Sequence, residues 1–155
     1  MHCLKRWWPA IAWAVVISIL STADFSSEHT SRVIIPILHF LFPHASAVAL
    51  AEMHGLIRKS AHVTEYFILS WLILFGLRAH RNEIHFRWAA VAVILVALYA
   101  SLDEFHQSFV PGRTPAVHDV LLDISGGVAA QITAALVLLW NRKRTTRRAN
   151  VRAQA

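Results

Sequence analysis

The fold class is indicated most clearly by VLLDISGGVAAQITAALVLLW, residues 120–140, because this segment carries a single charged side chain over its whole length. A helix needs about 20 predominantly apolar residues to cross the hydrocarbon core of a bilayer, and this stretch meets that length. Gly126 and Gly127 lie inside it, and glycines allow a neighbouring helix to approach closely within a membrane. The stretch therefore predicts a transmembrane helix that packs tightly against another one.

The composition of the whole chain points to the same environment. Of the 155 residues, 56% belong to the hydrophobic class and 15% are charged. Soluble domains usually carry about 25% charged residues, so the bilayer replaces water over much of this surface. The length allows one domain. We predict a single membrane domain over residues 1–140, followed by a basic tail over residues 141–155.

Three further segments have the apolar character of membrane spans, namely residues 7–23, 63–79 and 88–104. The last two are short for a crossing and have to extend into their polar flanks. The fold class is therefore predicted as all-α, a transmembrane helical bundle with four spans.

The connection between the first two spans, residues 24–62, is unusually apolar for a loop. Pro36 and Pro43 interrupt it, which argues against a fifth span. Residues 45–58 place apolar side chains at helical spacing. We predict one or two short helices here that lie in the outer interface or re-enter the membrane partway.

The distribution of basic residues orients the bundle. Eleven of the fifteen Lys and Arg residues lie near the two termini or in the connection between the second and third spans. Because cytoplasmic loops carry the excess of positive charge, we predict a multi-pass protein of the cytoplasmic membrane with both termini in the cytoplasm. The basic tail follows an apolar core, so we assign it to topology and lipid contact and predict no nucleic-acid partner. An alternative, in which residues 1–23 form a cleaved signal peptide, stays open.

With this orientation, ionisable residues from three separate segments fall at the outer ends of their spans. Helical spacing places Lys59, His62 and Tyr66 on one face, and Asp103 shares a face with Gln107. A charge at the bilayer centre costs about 2.5–3.5 kcal/mol on insertion scales, so such residues pair with one another or line a wet cavity. The candidate ligand-binding residues are Lys59, His62, Tyr66, Asp103, Glu104, Gln107, Arg113, Asp119 and Asp123.

Two stretches, KSAHVTEYFILSWL and DEFHQSFVPGRTPAVHDVLLDISGG, resemble the VanZ-like family of small bacterial membrane proteins. The family pattern has a Lys followed by His and Tyr, then Asp-Glu-x-x-Gln, Pro-x-Arg and Asp-x-x-x-Asn-x-x-Gly. The chain departs from it at Asp123, where the family has Asn, and at Ala130, where it has Gly. The matching positions are Lys59, His62, Tyr66, Asp103, Glu104, Gln107, Pro111, Arg113, Asp119 and Gly126.

The resemblance covers about residues 58–130 and implies a limited amount about function. The chain is similar to proteins linked with low-level resistance to teicoplanin-type glycopeptides, which act outside the cytoplasmic membrane. The resemblance implies no reaction and no cofactor. Asp123 adds a negative charge where the family has an amide, which leaves the ligand preference open.

Two functions of different classes follow from the polar cluster. In the first, an outward-facing pocket binds membrane lipid or a lipid-linked cell-wall precursor, and Arg113, Lys59 and His62 meet its phosphate or carboxylate. In the second, the chain is a membrane-embedded hydrolase or transferase that acts on a lipid-linked substrate. The catalytic candidates are then His62, Glu65, Asp103 and Glu104, as a base, its orienting partner and two possible acids.

Other functions find less support in the sequence. The ion pairs of the cluster alternatively serve only to fasten the helices together. A proton-coupled transporter is disfavoured because the charges gather at one side of the bundle. No metal site is predicted, since the histidines lack ligand spacing and Cys3 allows no thiolate cluster. Whether the acids bind a divalent cation stays open.

Overall fold

The computed structural model describes residues 4–22, 25–78, 85–109 and 116–153, and this part of the chain contains helices and no strand. The predicted all-α class is therefore confirmed. The five helices are α1, Leu4–Leu20; α2, Ser27–Leu41; α3, Ala47–Arg78; α4, Phe86–Gln107; and α5, Val117–Ala153.

Three helices are long and apolar enough to cross a membrane: α3, α4 and the Val117–Thr145 part of α5. The first predicted span, residues 7–23, falls largely on α1, which has 17 residues. This length lies at the lower limit of about 17 residues for a crossing. A crossing by α1, and with it the four-span arrangement, therefore stays a prediction.

The prediction of a separate short helix over residues 45–58 is wrong, because this segment and the second span form one helix of 32 residues, α3. No proline occurs within α3, and Gly55 is tolerated inside a helix. At about 1.5 Å per residue, α3 is about 48 Å long, whereas the hydrocarbon core is about 30 Å thick. The helix is therefore longer than the hydrocarbon core is thick, and the excess length belongs to its polar first half.

The other part of the predicted loop forms α2, which continues through Pro36 instead of ending there. A proline inside a helix removes one backbone hydrogen bond, and tertiary contacts of α2 offset this loss. Leu38 is buried, and the Thr30 hydroxyl lies 3.1 Å from Nε2 of His54 on α3. α2 ends at Leu41, two residues before Pro43.

The core lies where α1, α3 and α4 meet, around Ile17, Tyr66 and Val96, each fully buried. Trp13 on α1 donates a hydrogen bond from Nε1 to the backbone carbonyl of Glu65, at 2.9 Å. The α1 and α3 helices are thus joined by apolar packing and by a directional contact.

Helix α5 packs closely against both α3 and α4 through its two adjacent glycines. A Cβ atom on Gly126 would collide with the backbone carbonyl oxygen of Val63, and one on Gly127 would lie 2.8 Å from Cγ1 of Val96. Deeper in the bundle, Nε2 of Gln131 donates to Oγ of Ser70 at 2.7 Å. This seam of small and polar residues is the tight packing that the sequence predicts for residues 120–140.

Helix α5 continues past Trp140 to Ala153. Most of the predicted basic tail is therefore a helical extension of the apolar segment 120–140. The guanidinium of Arg144 lies 5.0 Å from the ring centroid of Trp140. Such a cation–π contact is typical of residues that sit near a membrane surface.

We expect Gly126→Ala to lower the free energy of unfolding by about 1–3 kcal/mol, because an added methyl group forces α3 and α5 apart. Gly55→Ala is the matched control, since a Cβ there meets no atom within 4 Å. Thermal unfolding of the two purified variants in detergent measures the difference. Equal midpoints would contradict the close approach at Gly126.

Candidate functional site

A cavity of about 160 Å³ lies at the polar end of the bundle, between the first half of α3, the end of α4 and the start of α5. This volume is about five times the ~30 Å³ that one water molecule occupies in the liquid. It is therefore large enough for a small polar group. The cavity is lined by Gly55, Arg58, Lys59, His62, Glu104, Gln107, Asp119, Leu122 and Asp123.

The α3 wall of the cavity is basic. Arg58, Lys59 and His62 all lie on it, because residues one and four positions apart fall on adjoining parts of a helix surface. These three side chains keep their positions at the cavity because α3 is continuous. A break in the helix before residue 63 would let the segment that carries them move independently of the rest of α3. Lys59 and His62 are among the residues predicted from the sequence, whereas Arg58 is not. Its position four residues before His62 was the signal that would have found it.

The opposite wall is acidic and contains Asp123, which is 5% exposed. Its Oδ1 atom is buried and has no hydrogen-bond partner among the described residues. Nδ1 of His62 lies 3.9 Å from this oxygen, which is too long for a hydrogen bond. The cavity thus contains a buried acceptor whose bonding capacity is unused.

Glu104 connects the end of α4 to the start of α5. Its Oε1 accepts a hydrogen bond of 2.7 Å from the backbone N–H of Ala116, just before α5 begins. A carboxylate is stabilised at this end of a helix by the unsatisfied N–H groups and the helix dipole. Glu104 also borders a second, more apolar cavity of about 350 Å³ between the same two helices.

Behind the cavity, the Asp103 carboxylate is surrounded by donors from three parts of the chain. Its Oδ2 accepts from Oγ of Ser21 at 2.9 Å, from Nε2 of Gln107 at 2.8 Å and from the hydroxyl of Tyr66 at 3.2 Å. Nε2 of Gln107 also lies 3.2 Å from Oγ of Ser21. Asp103 is 7% exposed and Tyr66 is fully buried.

The structure divides the predicted ligand-binding residues into groups. Lys59, His62, Glu104, Gln107, Asp119 and Asp123 line the cavity. Tyr66 and Asp103 are absent from its lining and form the buried network behind it. Arg113 lies outside the described residues, so its placement stays a prediction.

Ser21 is a member of this network that sequence reasoning missed, and no local signal marks it. It ends an apolar segment and looks like an ordinary helix terminus. Only the packing of α1 against α4 brings its hydroxyl to Asp103.

Two further pairs of side chains involve the remaining candidates. Oε2 of Glu65 lies 3.9 Å from Nδ1 of His62, beyond hydrogen-bond distance, so the alternative of a hydrolase or transferase gains no support from this pair. Asp119 lies 2.9 Å from Nε2 of His118, and both side chains are exposed. Within the described residues, no three His, Cys, Asp or Glu side chains are grouped to hold a metal ion.

Taken together, the helices and the polar end of the bundle define a small helical membrane protein. A family model described as VanZ/LLP1 matches residues 7–139. The chain therefore belongs to the VanZ/LLP1 family, and the resemblance predicted from the sequence is confirmed. Neither the curated proteins nor the solved structures contain a match.

We expect Asp103→Ala to lower the free energy of unfolding by about 1–3 kcal/mol, because it leaves buried donors without an acceptor. Asp119→Ala serves as the control, since this side chain is 41% exposed and its partner is an exposed histidine. Chemical unfolding in mixed micelles compares the two. A similar loss in both variants would show that the Asp103 network does not stabilise the bundle.

Proposed function

We propose that this VanZ-family protein binds the anionic headgroup of an envelope lipid or of a lipid-linked cell-wall precursor, and thereby affects susceptibility to glycopeptides. The observation that carries the proposal is the cavity of about 160 Å³ in which Arg58, Lys59 and His62 converge on one wall. A cavity of this size suits a headgroup, since sites for whole drug-sized ligands measure about 300–1,000 Å³.

The basic wall supports an anionic ligand through charge-assisted hydrogen bonds. The guanidinium of Arg58 offers a planar fork of donors that matches phosphate or carboxylate, and Lys59 adds a mobile point charge. Lys59 is exposed and lines the cavity, so its ammonium can reach a ligand there. Arg113 stays a predicted further contact.

The proposal includes a position in the membrane. In it, α1 is the fourth span, both termini lie in the cytoplasm and the cavity opens toward the outer leaflet of the cytoplasmic membrane. Two features support this orientation. The basic helical extension of α5 lies at the end of the bundle opposite to the cavity, and positive residues are retained on the cytoplasmic side.

We expect Lys59→Gln to weaken binding of phosphatidylglycerol about fivefold, because one lysine near an anionic headgroup contributes about 1 kcal/mol. Lys143→Gln, which removes the same charge at the opposite end of α5, is the control and leaves this binding unchanged. Native mass spectrometry of the purified chain titrated with the lipid gives both affinities. Equal affinities for the two variants would remove the support for an anion site on α3.

Cysteine labelling of intact cells tests the proposed orientation. With Cys3 replaced by Ser, a membrane-impermeant maleimide is expected to label Ser60→Cys and to leave Asn141→Cys unlabelled until the cells are permeabilised. Both positions are exposed on the surface of the chain. Labelling of Asn141→Cys in intact cells would place the cavity on the cytoplasmic side instead.

A further inference from the structure

The charges around the cavity are separated by sign onto different helices. The α3 wall carries Arg58, Lys59 and His62, whereas the α4 and α5 walls carry the carboxylates of Glu104, Asp119 and Asp123. A purely anionic ligand would use the first wall and would be repelled by the second one. The acidic wall therefore calls for a positive group in the ligand as well.

Asp123 is the carboxylate that most needs such a partner. It is 95% buried, since 5% of its surface is exposed, and its Oδ1 atom accepts no hydrogen bond from the part of the chain that the structure describes. Leaving a buried acceptor unsatisfied is unfavourable, and more so for a charged one. His62 does not meet this need, because its Nδ1 atom stays 3.9 Å away.

A metal ion is a poor candidate for this positive group. Hard cations such as Ca²⁺ and Mg²⁺ require several oxygen ligands around one point. Among the residues that the structure describes, no group of three suitable side chains converges in this way. A single unsatisfied carboxylate oxygen, on a residue that lines a small cavity, instead matches one N–H donor of an ammonium group.

We infer that the ligand of this cavity is a zwitterion, in which a protonated amine bonded to Oδ1 of Asp123 lies close to a phosphate or carboxylate held by Arg58 and Lys59. This inference rests on the proposed function and specifies its ligand. The phosphoethanolamine headgroup has this chemistry, because two carbons separate its primary ammonium from its phosphate.

A primary ammonium fits the cavity better than a quaternary one. It carries three N–H donors, one of which satisfies Asp123, whereas a trimethylammonium group has none. The three methyl groups also add bulk within a volume of about 160 Å³. The site should therefore distinguish phosphatidylethanolamine from both phosphatidylcholine and phosphatidylglycerol.

The test compares these three lipids with identical acyl chains, titrated against the purified full-length chain in detergent and followed by native mass spectrometry. We expect phosphatidylethanolamine to bind about tenfold more tightly than either of the others, the low end of what one charge-assisted hydrogen bond supplies. In Asp123→Asn, which keeps the shape of the side chain, this preference falls to about threefold or less.

The control is Glu28→Gln, which removes a similar charge from an exposed residue of α2 that pairs with Arg32 outside the cavity. It is expected to keep the full preference. The thermal midpoint of each variant shows whether it remains folded. If Asp123→Asn unfolds, Asp123→Glu replaces it, and a preference retained after this displacement of the carboxylate would overturn the inference.

The outcomes separate this inference from the proposed function. Equal binding of the three lipids, with a loss in Lys59→Gln, overturns the zwitterion and keeps the anion site. Binding that is insensitive to Lys59→Gln overturns the proposed function itself. A final arm adds soluble phosphoethanolamine as a competitor, and its success assigns recognition to the headgroup alone, whereas its failure assigns recognition to the intact lipid.

Discussion

A carboxylate inside an apolar helix bundle has to be surrounded by hydrogen-bond donors, and the arrangement around Asp103 follows from this constraint. Its Oδ2 atom accepts from Ser21 at the end of α1, from Tyr66 on α3 and from Gln107 one turn further along α4. Three parts of the chain are thereby held at fixed positions around one oxygen. Gln107 also lines the cavity, so the network that joins the helices also forms the floor of the site.

The second constraint is the close approach of α3 and α5. Because a Cβ on Gly126 would collide with the backbone of Val63, the two helices are in contact one residue from His62 and three from Asp123. This contact explains why the basic wall and the acidic wall face each other across so small a volume. Deeper in the bundle, Nε2 of Gln131 donates to the backbone oxygen and to Oγ of Ser70, while Oε1 of Gln131 is buried without a hydrogen-bond partner among the described residues.

The sequence was sufficient for the helical class, the family and most residues of the polar end, since each depends on spacing within one helix. Lys59 and His62 are an example, because their separation alone places them near one another. What spacing does not contain is the rotation of each helix relative to its neighbours. This rotation leaves Tyr66 and Asp103 outside the lining of the cavity and brings the hydroxyl of Ser21 to the carboxylate of Asp103. The continuity of α3 was missed because spacing indicated a helix over residues 45–58 but not whether it joins the helix that follows it.

The two buried aspartates of the bundle show that stability and binding make different demands on the same group. Asp103 and Asp123 are buried to a similar extent, at 7% and 5% exposure. The first has donors from three directions, whereas the second has an oxygen with no partner among the described residues. If Asp123 only fastened helices together, a donor would be expected at hydrogen-bond distance, as at Asp103. A buried, unsatisfied acceptor on a residue that lines a cavity reduces the stability of the bundle, and the role we propose for it is to bind a donor from outside the chain.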